Sequence, residues 1–440
     1  MPKILFIQPT QYGADGRPCK QKRIYLPGLV FPLLAAMTPR HWTVDVRLEV
    51  VDDIPFDTDA DVVGIGSMGH ATLRGLQIAD RFRALGKTVV MGGYMASMVP
   101  DLVRRHVDAV VVGDAEISYP RLLEDFERDG RLQPVYDNPV ASLAGLPVPR
   151  YEVLTEKRIG DMLPVQAGRG CPHTCSFCSI ACIYRGRYLV RPVDEVLRDI
   201  AEVRRHGFRA FYLIDDNIVS NPRHLEALCE AIEPLGMTWA TQCSLELARR
   251  PRLLERVRRA GATMMSFGVE SLSQEGLDRL GKKWLRADGH ERAVRTIDRA
   301  GILVSSEMMV GIDGETEETI RATREFIERT RIPIPRFYIL TPMPGSALFE
   351  QYRAAGRLVT ENLAEYTGAK AVHRPERMSP ERLTELYWWL YERLFTLRSI
   401  LRRTLLHPNM LRRPKVYLFA FVVNLHYRRY IKRRIPPNIF

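Results

Sequence analysis

The sequence predicts an α/β protein with two successive parallel-sheet domains and a helical C-terminal extension. Short Val/Ile-rich runs alternate with amphipathic helical patterns over the first 140 residues, and the alternation resumes near residue 160. After residue 375 the patterns are helical only. Unbroken apolar runs separated by helices are typical of parallel sheets covered on both faces. A chain of 440 residues is also too long for one ordinary domain.

The first region predicts a doubly wound parallel sheet. Its predicted strands are residues 3–8, 43–50, 61–67, 87–93 and 108–114. Between the third and fourth strands, "ATLRGLQIADRFRALG" is apolar at helical spacing and ends at Gly86, which predicts a helix.

Three of these strands end in glycine or a small polar residue. The pairs are Gly66-Ser67, Gly92-Gly93 and Gly113-Asp114. In doubly wound sheets ligands bind at the carboxyl ends of the strands. Two interpretations stay open on these residues alone: the glycines turn the chain, or they let a large cofactor approach the backbone. A Rossmann dinucleotide site is disfavoured because no GxGxxG follows the first strand.

The second region predicts a partial barrel. Residues 134–150 are rich in Pro and indicate a linker. Six predicted strands follow, at residues 162–168, 210–217, 238–244, 263–270, 303–311 and 336–342. Six βα units are too few for a full eight-stranded barrel, so we predict a (β/α)₆ barrel with polar strand ends at Asp215, Asp216, Glu270 and Thr341. The predicted organisation is domain 1–140, linker 141–158, barrel 159–365 and helical basic region 366–440.

The net charge of +12 belongs mostly to one end of the chain. Residues 401–440 hold ten Arg or Lys and no Asp or Glu, so the rest carries about +2. A nucleic-acid protein would spread this charge over its binding face, so we expect no nucleic-acid partner. The segment "VYLFAFVVNLHYRRYIKRR" joins an apolar patch to clustered basic residues. It fits either a helix at an anionic membrane surface or a helix packed on the barrel with solvated basic residues.

The N-terminus indicates a cytoplasmic protein. "MPKILFIQPT" lacks the features of a signal peptide and predicts a first strand. No apolar run approaches the roughly 20 residues that a spanning helix needs. We therefore expect reduced thiols and no disulfides.

The stretch "QAGRGCPHTCSFCSIACIY", residues 166–184, carries the strongest chemical signal. It places four cysteines within twelve positions: Cys171, Cys175, Cys178 and Cys182. A structural zinc site usually needs two Cys pairs, or a Cys pair with a His pair. The C-x₃-C-x₂-C spacing, with His173 inside it, instead suits the short Cys spacings that hold iron–sulfur clusters.

This loop resembles the radical S-adenosylmethionine (SAM) superfamily, through Cys171, Cys175, Phe177 and Cys178 at the end of the first barrel strand. The resemblance implies a [4Fe–4S] cluster on the three cysteines, with an open iron that binds SAM. It also implies that Phe177 lies near the adenine. Cys182 falls outside the pattern, and we expect it to be a structural or incidental thiol.

Other segments resemble the cobalamin-dependent subgroup of that superfamily. They are "YLIDDN", "FGVES", "MMVGIDGETEET" and "ILTPMPGSALFE". The resemblance implies that Asp215, Asp216 and Glu270 lie near the amino group or ribose of SAM, and that Gly311 lets the adenine pack closely. An acid at a strand end can equally cap the next helix, so both roles stay open.

The N-terminal segments "GIGSMGHATLRG", "VVMGGYMASMVPD" and "DAVVVGDAE" resemble the cobalamin-binding domain of the same subgroup. This implies that the following residues contact cobalamin: Gly66, Ser67, Gly92, Gly93, Gly113 and Glu116. The DxHxxG element that supplies an axial histidine elsewhere is absent, and His70 and His106 do not fit it. Cobalamin bound here would be base-off without histidine ligation.

The resemblance implies methylation of an unactivated carbon of a small-molecule or lipophilic substrate, through a 5′-deoxyadenosyl radical and methylcobalamin. It also implies an electron donor such as flavodoxin or ferredoxin. A cyclase, oxidase or rearrangement enzyme with the same cofactors is the alternative. A cobalamin sensor or carrier would leave the three cysteines unexplained. No motif identifies the substrate or a catalytic side chain.

Overall fold

The computed structural model describes residues 1–13 and 16–437. Its strands are β1 Lys3–Gln8, β2 Thr43–Leu48, β3 Val62–Ser67, β4 Thr88–Gly93, β5 Ala109–Val112, β6 Val135–Asp137, β7 Leu163–Gln166, β8 Gly168–Gly170, β9 Tyr188–Val190, β10 Ala210–Ile214, β11 Thr238–Ser244, β12 Ala262–Glu270, β13 Leu303–Val310 and β14 Ile334–Ile339. Its helices are α1 Val30–Met37, α2 Thr72–Ala84, α3 Tyr94–Met98, α4 Pro100–Val103, α5 Ala115–Asp129, α6 Glu152–Thr155, α7 Ser179–Tyr184, α8 Val193–Arg205, α9 Pro222–Ile232, α10 Pro251–Arg259, α11 Gln274–Arg279, α12 His290–Arg299, α13 Glu317–Thr330, α14 Ala347–Ala354, α15 Pro380–Leu394, α16 Leu397–Arg403 and α17 Pro414–Ile431.

The chain divides into two compact units. The first contains residues up to 166 together with 189–211, and the second contains residues 167–188 together with the chain from residue 212 onward.

The first unit is built on a six-stranded sheet of order β2-β1-β3-β4-β5-β6, in which every neighbouring pair is parallel. From β1 the chain adds β2 on one side and then β3 to β6 on the other side, as in doubly wound sheets. The predicted fold class is confirmed. The sixth strand was not predicted: Val135–Asp137 pairs with β5 inside the proline-rich segment interpreted as a linker. Three residues after a proline give no detectable apolar run.

The core of the first unit explains its Val/Ile runs. Strand residues such as Leu5, Val63 and Val89 are fully buried, and Phe82 of α2 packs against the same cluster. Because strands of a covered parallel sheet are buried on both faces, successive apolar residues are all needed.

A second six-stranded sheet has the order β14-β13-β12-β11-β10-β7, and its strands β11 to β14 lie wholly within the second unit. Strands β11 to β14 pair in parallel with their neighbours. This sequential order is the one that a partial barrel requires, and all six predicted strands are present. A small sheet of β8 and β9 was not predicted.

The C-terminal helices pack on the second unit. The buried face of α17 consists of Tyr417, Ala420, Asn424, Tyr427 and Ile431, and contacts β14 and α15. The buried guanidinium of Arg403 donates to main-chain carbonyls, including that of Leu394 at 2.7 Å. Packing of α17 on the second unit is therefore confirmed. None of the helices in the described part of the chain has the length and apolar character to cross a membrane.

Candidate active site

The cysteine loop lies between β8 and α7 and is held by main-chain hydrogen bonds. The Cys178 N–H donates to the Cys175 carbonyl at 3.1 Å, and Cys178 is the N-cap of α7. The Ser176 N–H donates to the Leu280 carbonyl at 3.1 Å, and the Ser176 carbonyl accepts from the Leu348 N–H at 3.0 Å. These bonds fix the centre of the loop against two other segments of the second unit.

The three predicted ligands share one location. Cys175 is buried and lies within electrostatic range of Cys171 and Cys178, which are half-buried. Burial raises the pKa of all three thiols, that of Cys175 to about 12, so their ionisation needs a positive partner. Within residues 1–13 and 16–437, no three His, Cys, Asp or Glu side chains converge on a single metal ion. Ligation of an iron–sulfur cluster by these three cysteines stays a prediction.

Cys182 occupies a different environment from the other three. It lies one turn into α7, where its N–H donates to the Cys178 carbonyl at 3.3 Å. Its thiol interacts with the main chain of Ala347, at the start of α14, and burial raises its pKa. A structural role for Cys182 stays a prediction.

The end of β10 is tied to the cysteine loop. The Gly170 N–H donates to Asp216 Oδ2 at 2.7 Å. Asp215 accepts from the Tyr188 hydroxyl at 2.7 Å and the Asn217 N–H at 2.9 Å, and burial raises its pKa to about 7. The two acids thus hold the local structure in this state, and their predicted contact with SAM stays a prediction.

Glu270, at the end of β12, has a constrained geometry. Its φ of 63° lies in the left-handed region, and the register with β13 shifts between Gly268 and Glu270. Strained backbone of this kind clusters at functional sites. Its carboxylate forms an ion pair with Lys282, whose Nζ lies 5.5 Å from the centre of the Phe177 ring.

Lys282 is a functional candidate that the sequence did not reveal. Burial acts to lower its pKa, but the Glu270 carboxylate and the neighbouring Cys175 and Cys178 outweigh burial and raise it. A permanent positive charge therefore lies beside the cysteine loop. No motif marked this lysine, because its role depends on contacts between β12 and the segment after α11.

Gly311 follows β13 with φ +85°, and a side chain there would collide with Leu383. The Gly311 and Ile312 N–H groups donate to Glu315 Oε2 at 2.9 and 3.2 Å, and the Ser271 hydroxyl donates to Oε1. Glu315 is fully buried, which raises its pKa to about 7. The close approach that requires glycine here is to Leu383, and the predicted adenine contact stays a prediction.

A group of six polar side chains on five neighbouring strands of the second sheet, here called the polar belt, runs across that sheet. The residues of this polar belt are Tyr212, Gln242, Ser266, Glu307, Arg336 and Tyr338. Glu307 Oε1 accepts from the Ser266 hydroxyl at 2.6 Å and lies 3.2 Å from Arg336 Nη1. Barrel interiors are usually filled by branched apolar residues. The polar side chains on these strands are therefore candidate ligand contacts.

In the first unit, glycine-ended strands lie side by side. Gly66 pairs with Gly92 and Ser67 with Gly93. A Cβ on Gly66 would lie 3.0 Å from the Phe31 ring, and one on Gly93 would lie 2.5 Å from the Ser67 carbonyl oxygen. Gly93 is therefore required by the sheet itself, whereas a side chain at Gly66 would press on the Phe31 ring of α1.

Gly113 differs from those two. A Cβ there would meet no atom within 4 Å, although its φ is +70°. Its N–H donates to Ser97 Oγ at 2.8 Å. Open space beyond a strand-end glycine fits a large planar ligand approaching the backbone. Glu116 lies nearby in the first turn of α5.

The two histidines of these N-terminal segments have other surroundings. His106 Nδ1 lies 2.9 Å from both carboxylate oxygens of Asp80. His70 lies in the turn after β3, and burial lowers its pKa. Cobalamin contacts at the predicted positions, without a histidine ligand, stay a prediction.

The barrel segment of the chain is similar to known proteins. Residues 165–327 match the family model described as the radical SAM superfamily. Two similar proteins come from Chlorobaculum tepidum: bacteriochlorophyllide d C-8(2)-methyltransferase, 28% identical over 86% of this chain and 88% of its own, and bacteriochlorophyllide d C-12(1)-methyltransferase, 29% identical over 80% and 78%. Residues 165–327 are therefore similar to the radical SAM superfamily, within a longer similarity to two methyltransferases.

A solved structure extends this likeness to the fold of both units. The radical SAM methyltransferase TsrM from Kitasatospora setae, determined with cobalamin and a [4Fe–4S] cluster bound, has a TM-score of 0.65. The match covers 89% of each chain at 17% identity, so it supports the fold alone.

Proposed function

We propose that this radical SAM protein is a cobalamin-dependent methyltransferase acting on an unactivated carbon of a small, lipophilic molecule. The observation that carries the proposal is the presence, in one chain, of the three-cysteine loop and of a doubly wound sheet with an open glycine at a strand end. The similarity to two C-methyltransferases over most of the chain supports it.

The residues divide between the two cofactors. When bound, the cluster with SAM supplies a carbon-centred radical that abstracts hydrogen, and cobalamin supplies the methyl group. Cys171, Cys175 and Cys178 hold the cluster, and Lys282 balances negative charge beside it. Gly113 leaves room for cobalamin at the edge of the first sheet.

We propose a tetrapyrrole as the first substrate class to test, because two relatives act on bacteriochlorophyllide d. The polar belt supports a substrate with polar substituents, since Glu307 and Gln242 offer hydrogen-bonding groups on solvent-accessible side chains. These groups would orient the molecule, and the surrounding apolar surface would bury its ring.

Anaerobic reconstitution with trideuteromethyl-SAM, cobalamin, dithionite as one-electron reductant and bacteriochlorophyllide d tests the proposal by mass spectrometry. We expect a product that has gained one labelled methyl group in place of hydrogen. A product that loses hydrogen without gaining label would instead support the cyclase or oxidase alternative. Protein that binds no cobalamin would refute both.

We also propose a cytoplasmic protein with a peripheral membrane contact through residues 401–440. The side of α17 away from the barrel exposes Leu418, Phe419 and Val422, and Leu411 before it is 94% exposed. The segment carries no acidic residue. Basic residues beside exposed apolar ones favour an anionic lipid surface. Co-sedimentation with anionic liposomes, with and without residues 401–440, tests this, and equal binding would refute it.

A further inference from the structure

One edge of the cysteine loop is open to solvent. Pro172 and Thr174 are exposed, and the side chain of His173 between them is 24% exposed. The opposite side of the loop is closed, because Phe177 packs into an apolar cluster and Cys175 is buried. The outer edge is therefore the direction from which another protein can come closest to the cysteines.

An aromatic pair lies at this edge. The His173 ring stacks on Trp284 with centroids 4.0 Å apart and planes 13° apart. His173 Nε2 also lies 3.8 Å from Glu246. These contacts hold the His173 imidazole in place. Because His173 is two residues from both Cys171 and Cys175, it connects the cysteine loop to the outer surface.

Exposed cations surround this edge and define what we call the basic rim: Arg185, Arg187, Arg249, Lys283, Arg286 and Arg292. Gly186 packs against the Pro172 carbonyl and the Thr174 side chain, which places Arg185 and Arg187 on one flank. On the other flank, Arg249, Arg286 and Arg292 line a cavity of about 420 Å³ that Glu246 also lines.

The charge of the basic rim is poorly compensated. Among the residues that the structure describes, Arg286 lies 3.8 Å from Asp288, whereas the other five rim cations form no ion pair within 4.0 Å. The C-terminal tail carries more basic residues in total, but the rim is the basic surface that adjoins the cysteine loop.

We propose that the basic rim is the docking surface for an acidic one-electron donor protein of the flavodoxin or ferredoxin type. This inference rests on the proposed function, which needs a reduced cluster. The donor is oxidised by one electron, the cluster is reduced by one, and no proton moves. Complementary charge raises the rate and affinity of such encounters and makes them sensitive to salt.

The experiment compares two charge-reversal variants of the reconstituted holoenzyme. The rim variant combines Arg249→Glu, Arg286→Glu and Arg292→Glu. The control combines Arg412→Glu, Lys415→Glu and Arg429→Glu, which changes net charge equally on the exposed tail. Binding of oxidised flavodoxin is measured by isothermal titration calorimetry at low salt. SAM cleavage is measured with reduced flavodoxin and, separately, with dithionite.

We expect the rim variant to bind flavodoxin at least about tenfold more weakly, with the control close to the unsubstituted protein. Flavodoxin-driven cleavage should fall with binding, while dithionite-driven cleavage and iron content stay unchanged. Equal binding by rim variant and unsubstituted protein, or an equal loss in the control, would overturn the proposal. Failure of the unsubstituted protein to cleave SAM with dithionite would instead count against the proposed function, and flavodoxin binding would still decide the docking surface.

Discussion

The two proposed cofactor sites, the cysteine loop of the second unit and the glycine-ended edge of the first unit, differ in how they would hold a cofactor. The loop acts through side chains that are present: three thiols and, beside them, Lys282. The edge acts through side chains that are absent, above all at Gly113, where a Cβ would meet only open space. Ligand side chains can be recognised from their spacing in the sequence. Open space beside a glycine depends on the surrounding fold and cannot be recognised in that way.

The largest expected effect separates Cys175 from Cys182. Cys175→Ser should abolish the cluster, because it removes one of three thiolates, each of which binds its own iron. Cys182→Ser, seven residues away, should keep the full iron content. Iron and acid-labile sulfide analysis after anaerobic reconstitution, with the visible absorption of the cluster, measures both.

A cluster retained in Cys175→Ser, or lost in Cys182→Ser, would contradict the assignment of three ligands plus one structural thiol. Circular dichroism of both variants provides the folding control, since serine is close to cysteine in size.

The next effect tests a glycine that the sheet itself needs. Gly93→Ala should destabilise the first unit by on the order of 3 kcal/mol, because a non-glycine residue at its φ of +106° is strained and the Cβ would press on the Ser67 carbonyl. Urea unfolding of the apoprotein measures this change. Unaltered stability would show that the glycine is dispensable to the sheet.

Gly113→Asn should weaken cobalamin binding at least about tenfold while changing unfolding by less than about 1 kcal/mol. Asparagine tolerates left-handed backbone, so its side chain fills the open space without straining the chain. Equilibrium dialysis with hydroxocobalamin gives the affinity, and urea unfolding gives the stability. Undiminished affinity would remove Gly113 from the cobalamin site.

The effect that is smallest per pH unit is a pH dependence of stability in the second unit. The pKa of Glu315 is about 7 in the folded protein, against about 4.3 for an unperturbed glutamate. Between these values the folded state keeps a proton that the unfolded chain has released, so this contribution to stability is complete below about pH 4 and is lost as pH rises to 7.

Glu315→Gln should remove that slope, worth at most about 1.4 kcal/mol per pH unit, because a neutral amide can still accept from Gly311 and Ile312 and donate to Ser271. Unfolding free energies at several pH values between 4.5 and 7 measure the difference. Parallel pH profiles for the two proteins would contradict the assignment.

The sequence predicted the parts of the fold that are local. Apolar runs located β11 at its observed bounds, Thr238–Ser244, and β1 likewise at Lys3–Gln8. The three-residue strand Val135–Asp137 was not predicted, because it is defined by its pairing with β5, which is a tertiary contact. In the site, cysteine spacing identified the loop at once, but Lys282 and Glu315 act only through partners distant in sequence.

Gly311 shows a further limit of inference from sequence. A strand-end glycine in a resembling motif implies room for a ligand, yet the neighbour that requires glycine here is Leu383, from the C-terminal helix α15. Many different groups could fill the space beside a glycine, and only the folded structure shows which group fills it.

The central claim is that one chain holds a cluster and cobalamin at two separately built sites. Iron and cobalamin content per chain, measured after anaerobic reconstitution of the unsubstituted protein, Cys175→Ser and Gly113→Asn, tests it most directly. We predict about four irons and about one cobalamin in the unsubstituted protein, cobalamin without iron in Cys175→Ser, and iron with reduced cobalamin in Gly113→Asn. Absence of cobalamin from the unsubstituted protein, or joint loss of both cofactors in either variant, would contradict the account.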